Sequence, residues 1–158
     1  MIRWILCFGA LAGLALAQPA YVEPTGPNPP LPTEKLTIID DGGQRHDFII
    51  EVASTTAEQD TGLMYRTFIP ANGGMLFPWA KPQVADMWME HCPVPEDMVF
   101  IGADGIIKKI AEDTVPYSTA DISSGVPVAA TLELKGGTTD VENISVGDRV
   151  IAKQFGGS

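Results

Sequence analysis

Cysteine is nearly missing from this chain. Cys7 and Cys92 are the only two, and Cys7 falls in an apolar N-terminal run. If that run is removed, Cys92 stands alone, so an intramolecular disulfide and a paired-cysteine zinc site are both excluded. Histidine is as scarce, with only His46 and His91. Any Ser-His-Asp or Cys-His-Asp site would have to use one of these two. Cations are few: 10 Lys and Arg stand against 20 Asp and Glu, a formal net charge of −10. That balance disfavours DNA, RNA and anionic lipid surfaces as partners, because their affinity comes largely from basic patches. No phosphate loop, GxGxxG, GxSxG or HExxH occurs, which removes the familiar nucleotide, hydrolase and metalloprotease signatures.

What is present begins with residues 1–17, MIRWILCFGALAGLALA. One basic residue, Arg3, precedes an apolar run ending at Ala15-Leu16-Ala17, a small-x-small cleavage signature. The run is too short for a membrane anchor and fits a secretory signal peptide. A buried N-terminal helix is the plainer alternative, but a proline-rich stretch follows at once. Lipid attachment at Cys7 is disfavoured by Leu6, where a small residue is needed. The expected localisation is export, to the periplasm or beyond, after cleavage near Ala17. No later apolar segment is long enough to span a bilayer.

Residues 18–33 hold six prolines and no hydrophobic period, so 18–34 reads as an extended tether. A single β-rich domain is expected over 35–154, and 155–158 as a flexible C-terminus. Strands are predicted at 35–40, 45–52, 74–79, 84–89, 98–103, 106–112, 127–134 and 147–154. Asp41-Gly42-Gly43 and Asp104-Gly105 mark two hairpins. Thr55-x-x-Glu58 is a capping box opening a helix at about 56–66, and a helical turn is expected near 138–143. The fold class is mainly β (α+β): a compact antiparallel or mixed β-barrel or sandwich-like domain with one or two short helices.

Three groups of side chains carry candidate chemistry. If residues 84–91 are extended, alternation puts Met87, Met89 and His91 on one face. With Cys92 they form a soft donor set suited to cuprous copper, although methionines alternating on a strand are most often core packing. Cys92 beside His91 is no dyad by itself, since neighbouring side chains on a strand diverge. The acids Glu51, Asp97 and Glu133 each adjoin apolar strand residues and could work as general acids or bases. The commoner reading pairs such acids with a cation or a turn backbone, and Arg66 is the natural partner. Trp79 and Trp88 are expected in the core or lining a pocket.

Four segments in order carry a resemblance. GLMYR (62–66), GGMLFPW (73–79), WMEHCPVPEDMVF (88–100), and TLEL (131–134) with VGDRV (146–150) together resemble domain-of-unknown-function family 192. These are small bacterial and archaeal proteins, often exported. The resemblance covers about 36–154. It implies a compact β-rich domain with short helices and no established activity, substrate or cofactor. Gly62, Leu63, Met64, Arg66, Gly74, Met75, Phe77, Trp88, Met89, Pro95, Asp97, Phe100, Gly105 and Glu133 match the family's pattern. The departures are Glu90, His91 and Cys92, where Lys-Asn-Thr is usual, and Glu96, where an apolar residue commonly precedes the aspartate.

The leading expectation is therefore an exported, non-enzymatic module binding an unidentified small molecule or protein. Arg66, Trp88, Met89 and Asp97 would form its pocket or rim, with Glu51 and Glu133 as acidic partners. No cofactor is expected. The first alternative is a cuprous-copper binder using Met87, Met89, His91 and Cys92; the second is a hydrolase-like enzyme using Asp97 or Cys92. Oligomeric state is left open.

Overall fold

A computed structural model describes residues 21–157. The expected signal peptide, residues 1–17, lies outside them, as does the start of the expected tether. Seven strands build one mixed, curled sheet, a half-barrel: β1 (Thr33–Ile39), β2 (Arg45–Val52), β3 (Gly73–Met87), β4 (Glu96–Ile101), β5 (Ile107–Ala111), β6 (Ile122–Lys135) and β7 (Arg149–Ile151). The helices are α1 (Thr56–Thr61) and α2 (Thr138–Val141), with a 3₁₀ turn at Lys153–Phe155. No described helix is long and apolar enough to cross a membrane.

The sheet order is β5-β4-β6-β3-β2-β1-β7. Only β2 and β3 run parallel; every other neighbouring pair is antiparallel. A parallel pair needs a crossover rather than a hairpin, and residues 53–72, with α1, supply it. The two outer strands of the curl meet at an isolated bridge between Ile106 and Arg149.

Alternation divides the buried residues between the two faces of the sheet. Inside the curl, Leu36, Phe48, Leu76, Val99, Ile107, Leu132 and Val150 join one core drawn from all seven strands. The other face carries Met75, Phe77, Met98, Phe100 and Glu133. It is covered by the segment around Leu63 and Met64 and by the β3–β4 connection with Met89 and Cys92. Two apolar layers thus share one sheet.

Both predicted hairpins form, with β1 pairing β2 and β4 pairing β5. Several boundaries differ from expectation. The helix stops at Thr61, because Gly62 takes φ 48° and ψ −132° and breaks the helical turn. The strands expected at 74–79 and 84–89 are one strand, β3, whose register against β6 shifts between Pro78 and Gln83. It ends at Met87, so the strict alternation that would align His91 with Met87 and Met89 stops too early. The strand expected at 147–154 shrinks to β7.

Residues 21–32 are no free tether. Leu31 is buried in the outer core, and its N–H donates to Glu51 at 2.8 Å. The Asn28 amide donates to the Glu58 and Gly62 carbonyls at 2.9 and 3.0 Å, and the Tyr65 hydroxyl donates to the Pro24 carbonyl at 2.7 Å. Proline supplies stiffness here and the other side chains supply anchors, so the segment is a strap. The C-terminus is likewise tied down: Phe155 packs against the inner core and the Gly157 N–H donates to the Ala152 carbonyl at 3.0 Å.

Candidate functional site: an acid-floored cleft

The cleft arises from how α1 meets the outer face. Thr55 caps the helix, its hydroxyl accepting the Glu58 N–H at 3.3 Å while the Glu58 carboxylate accepts the Thr55 N–H at 2.8 Å. Seven residues after Thr55, Gly62 ends it against the Phe77 ring, where a Cβ would sit 3.1 Å from Cζ. Only glycine combines that positive φ with so close an approach. Leu63 and Met64 then plug the outer core. The β3–β4 connection is held by Met89 N–H to the Ser118 carbonyl (2.9 Å) and Cys92 N–H to the Met89 carbonyl (3.0 Å). Between these pieces lies a cleft of about 280 Å³, walled by Tyr21, Phe77, Trp79, Met87 and Trp88, with Glu133 in its lining.

The register of three strands explains the floor. Glu133 of β6 stands opposite Met75 of β3 and Met98 of β4, so it points into the outer layer. On β4 the residue two before Met98 is Glu96, which shares that face. Glu96 is fully buried and Glu133 is 4% exposed. Neither Glu96 oxygen has a hydrogen-bond partner, and Glu133 Oε2 and the Trp79 indole N–H also lack one. Such groups are uncommon, because an unpaired buried polar atom costs about 1–3 kcal/mol.

Titration follows from this burial. Desolvation holds the Glu96 carboxyl up, to about 8, against a smaller opposing effect of the Cys92 thiol. That thiol is close enough to influence Glu96, yet no contact between them has hydrogen-bond geometry, so both oxygens stay partnerless. Burial raises Glu133 well above the usual carboxylate range, and the Glu96 charge adds to it. Burial likewise pushes the Cys92 thiol up, with Glu96 and Glu133 acting in the same direction. Near neutral pH the site is protonated and short of partners.

The expected site residues divide between the faces. Arg66 does meet an acid: its Nη2 lies 3.0 Å from Glu51 Oε2, and Nη1 bonds Oε1. Burial would raise Glu51, but the Arg66 hydrogen bond and the Leu31 N–H outweigh it and leave the carboxyl below its usual range. This is a structural clamp on the strap. Asp97 points to the inner face, away from Glu133. Its carboxylate accepts from Asp113 N–H (2.8 Å), Gly137 N–H (3.0 Å), and Thr139 N–H and hydroxyl (both 2.8 Å). A rim joining Arg66, Trp88, Met89 and Asp97 does not form.

Trp88, 39% exposed, does line the cleft, while Met89 is fully buried with its sulfur 3.0 Å from the Thr114 hydroxyl. Met87 and Cys92 also line it. His91 leaves that group. At φ 57° its ring stacks on Tyr65 with centroids 4.9 Å apart, and Nε2 lies 3.0 Å from Glu23 on the strap. Glu23, Glu90 and His91 place one ligand atom each within 4.8 Å of one another. That cluster is at the surface, apart from the sulfur atoms. Glu96 is the residue that sequence reasoning passed over as a site member; its signal was a charge standing where an apolar residue is usual.

Fold and cleft together define a class: a β half-barrel with a small aromatic cleft whose lining includes one buried acid, Glu133, backed by a second, Glu96. The chain belongs to domain-of-unknown-function family 192 (DUF192), described as "Uncharacterized ACR", whose profile matches residues 37–152. Two solved structures are similar along nearly their whole length. One is a candidate transcription regulator from Sinorhizobium meliloti 1021, 37% identical, covering 80% of this chain and 98% of its own, with a TM-score of 0.78. The other is a protein of unknown function from Novosphingobium aromaticivorans DSM 12444, 35% identical, covering 87% of this chain and 94% of its own, with a TM-score of 0.74. No curated protein matches the chain.

Proposed function

We propose that the protein is an exported, non-enzymatic binding module whose cleft takes a small organic molecule. The observation that carries the reading is the partnerless Oε2 of Glu133, a residue in the lining of an aromatic cleft. Apolar walls with a few convergent polar groups are what small-molecule sites have in common. At about 280 Å³ the cleft is at the lower end of such sites, so the ligand is small. Export rests on the Ala15-Leu16-Ala17 signature and its apolar run. Binding is favoured over hydrolysis because the Cys92 thiol is pushed away from its nucleophilic thiolate form, while Asp97 is committed to four hydrogen bonds.

A fragment screen read by the indole NMR signals of Trp79 and Trp88 tests this. Fragments that bind the cleft shift both signals together. A screen in which neither signal moves, while the protein remains folded, defeats the reading.

A second reading, a site for cuprous copper, is favoured by one observation: Met64, Met87 and Cys92 all line the same cleft. Titration with cuprous ion against a colorimetric chelator under reducing conditions decides it. Stoichiometric uptake that is lost in Met87→Leu supports copper, and uptake unchanged in that variant removes this site.

A further inference from the structure

We propose that the ligand of this cleft is an organic cation, a small alkyl- or arylammonium whose charged head faces Glu133 and whose apolar body lies between the aromatic walls. This deepens the binding reading above and rests on it. The composition of the lining carries the inference. Three acids, Asp60, Asp86 and Glu133, and four aromatic rings, Tyr21, Phe77, Trp79 and Trp88, face the cleft, and among the described residues no Lys, Arg or His does. The groove beside β1 and β7 differs, lined by three cations, Lys35, Arg45 and Lys153, and one acid, Glu34. The exclusion of cations is therefore local to the cleft and does not merely reflect an acidic chain.

Each part has a chemical role. Aromatic faces carry negative quadrupole potential and attract ammonium groups, most strongly where water is excluded. Tyr21 and Trp88 meet edge to face with centroids 6.4 Å apart, and Phe77 and Trp79 are tilted at the same separation, giving two aromatic pairs along the walls. Glu133 supplies an acceptor with no other claim on it, so an arriving N–H would satisfy a bond the free protein lacks. Asp60 and Asp86 belong to α1 and β3 and contribute acidic charge to the same lining. An anionic ligand would have to face Asp60 and Asp86 with no Lys, Arg or His among the described lining residues. The Trp79 indole N–H is an unpartnered donor in the lining, which leaves room in the ligand for an acceptor besides the ammonium.

A proton should leave when the cation enters. An ammonium beside Glu133 favours its ionised form, and that form is otherwise held back by burial and by Glu96. The other titratable groups around the cleft are Cys92 from the β3–β4 connection, Asp60 from α1, Asp86 from β3 and Tyr21 from the strap.

The test is a matched trio, n-hexylammonium, 1-hexanol and hexanoate, titrated into the purified protein. Affinity is followed by calorimetry in two buffers of different ionisation enthalpy and by the Trp79 and Trp88 indole signals. The expected order is hexylammonium tighter than hexanol by at least about tenfold, hexanoate weakest, with proton release only for the ammonium. Glu133→Gln, close to isosteric, should bring the ammonium preference near unity while hexanol still shifts both indoles. Asp60→Asn should reduce the preference by a smaller factor. Equal binding of ammonium and alcohol, or tighter hexanoate, overturns the cation assignment and leaves the cleft as a binding site. If none of the three moves either indole, the binding reading itself falls.

Discussion

Glu96 and Asp97 are neighbours on one strand, both fully buried, and their fates are opposite. Asp97 turns inward and collects four hydrogen bonds that tie the Asp113 loop and the start of α2 to the sheet. Glu96 turns outward beside Glu133 and Cys92 and finds none. The chain thus holds a satisfied acid and an unsatisfied one at adjacent positions, separated only by the pleat. The difference teaches that burial alone does not assign an acid to structure or to function. What distinguishes them is whether the backbone around the carboxylate has been shaped to meet it. Around Asp97 it has, through three N–H groups; around Glu96 it has not, and beside it Glu133 lines a cleft.

The most severe way to break that contrast is Asp97→Asn. An amide NH₂ would face donors, leaving backbone N–H groups stranded, and the expected loss is on the order of 3–5 kcal/mol in urea denaturation. A loss below about 1 kcal/mol would mean that the loops hold without it. The converse substitution, Glu96→Gln, should gain stability, by about 1–3 kcal/mol at pH 8 and by almost nothing at pH 4. The sign follows from the raised carboxyls, which keep protons in the folded state that the unfolded chain gives up. Wild-type stability therefore falls as pH rises from the unfolded value near 4.5 toward about 8. Denaturation midpoints measured across that window should decline in the wild type and decline less steeply in Glu96→Gln, where burial still raises Glu133.

A smaller effect is expected from Arg66→Ala, about 1–2 kcal/mol, because the Arg66–Glu51 pair is only partly buried. Here the pH dependence reverses. Glu51 is lowered in the folded state, so its contribution is present above the unfolded pKa and lost as pH falls through the folded one. Hydrogen exchange at the Leu31 amide should rise in this variant, since Glu51 holds both Arg66 and that N–H. The smallest effect belongs to His46, buried and flanked by Glu142 at 2.9 Å and Asp40 at 3.3 Å. Burial would lower its pKa, but the two carboxylates outweigh this and raise it. Its stabilisation is complete below the unfolded value near 6.5 and fades as pH rises through the folded one, a trend His46→Gln should abolish in thermal melts.

The β-rich class and both hairpins were legible because local alternation and Asp-Gly turns encode them directly. The parallel β2–β3 pair was not, since nothing in either strand names a partner reached by a crossover. The long β3 was split in the sequence reading because Pro78, Lys81 and Pro82 interrupt its pattern; the structure tolerates them as an irregularity in register. For the site, Glu133, Trp88, Met87 and Cys92 were visible as unusual residues in or beside apolar segments. That Glu96 joins Glu133 depends on Met98 standing opposite Glu133, a fact of register between strands far apart in sequence. The strap reads as a tether in sequence for a related reason: proline content reports stiffness, and contacts such as Asn28 to α1 have no local signature.

The bridge between Ile106 and Arg149 has a consequence for how this protein can meet others. Next to it, the Ile107 N–H donates to the Asp148 carbonyl, the Gly147 N–H to the Ile107 carbonyl and the Val150 N–H to the Gly105 carbonyl. Over residues 105–107 and 147–150 the curl therefore spends the backbone groups of its two rims on each other. A rim so occupied offers little template for a foreign strand, which is how natural sheets avoid edge-to-edge aggregation. Over that stretch it also closes the route by which many extended peptides are captured, through strand addition to a free border. Recognition at these borders is left to side chains, and the richest unspent set among the described residues faces the cleft.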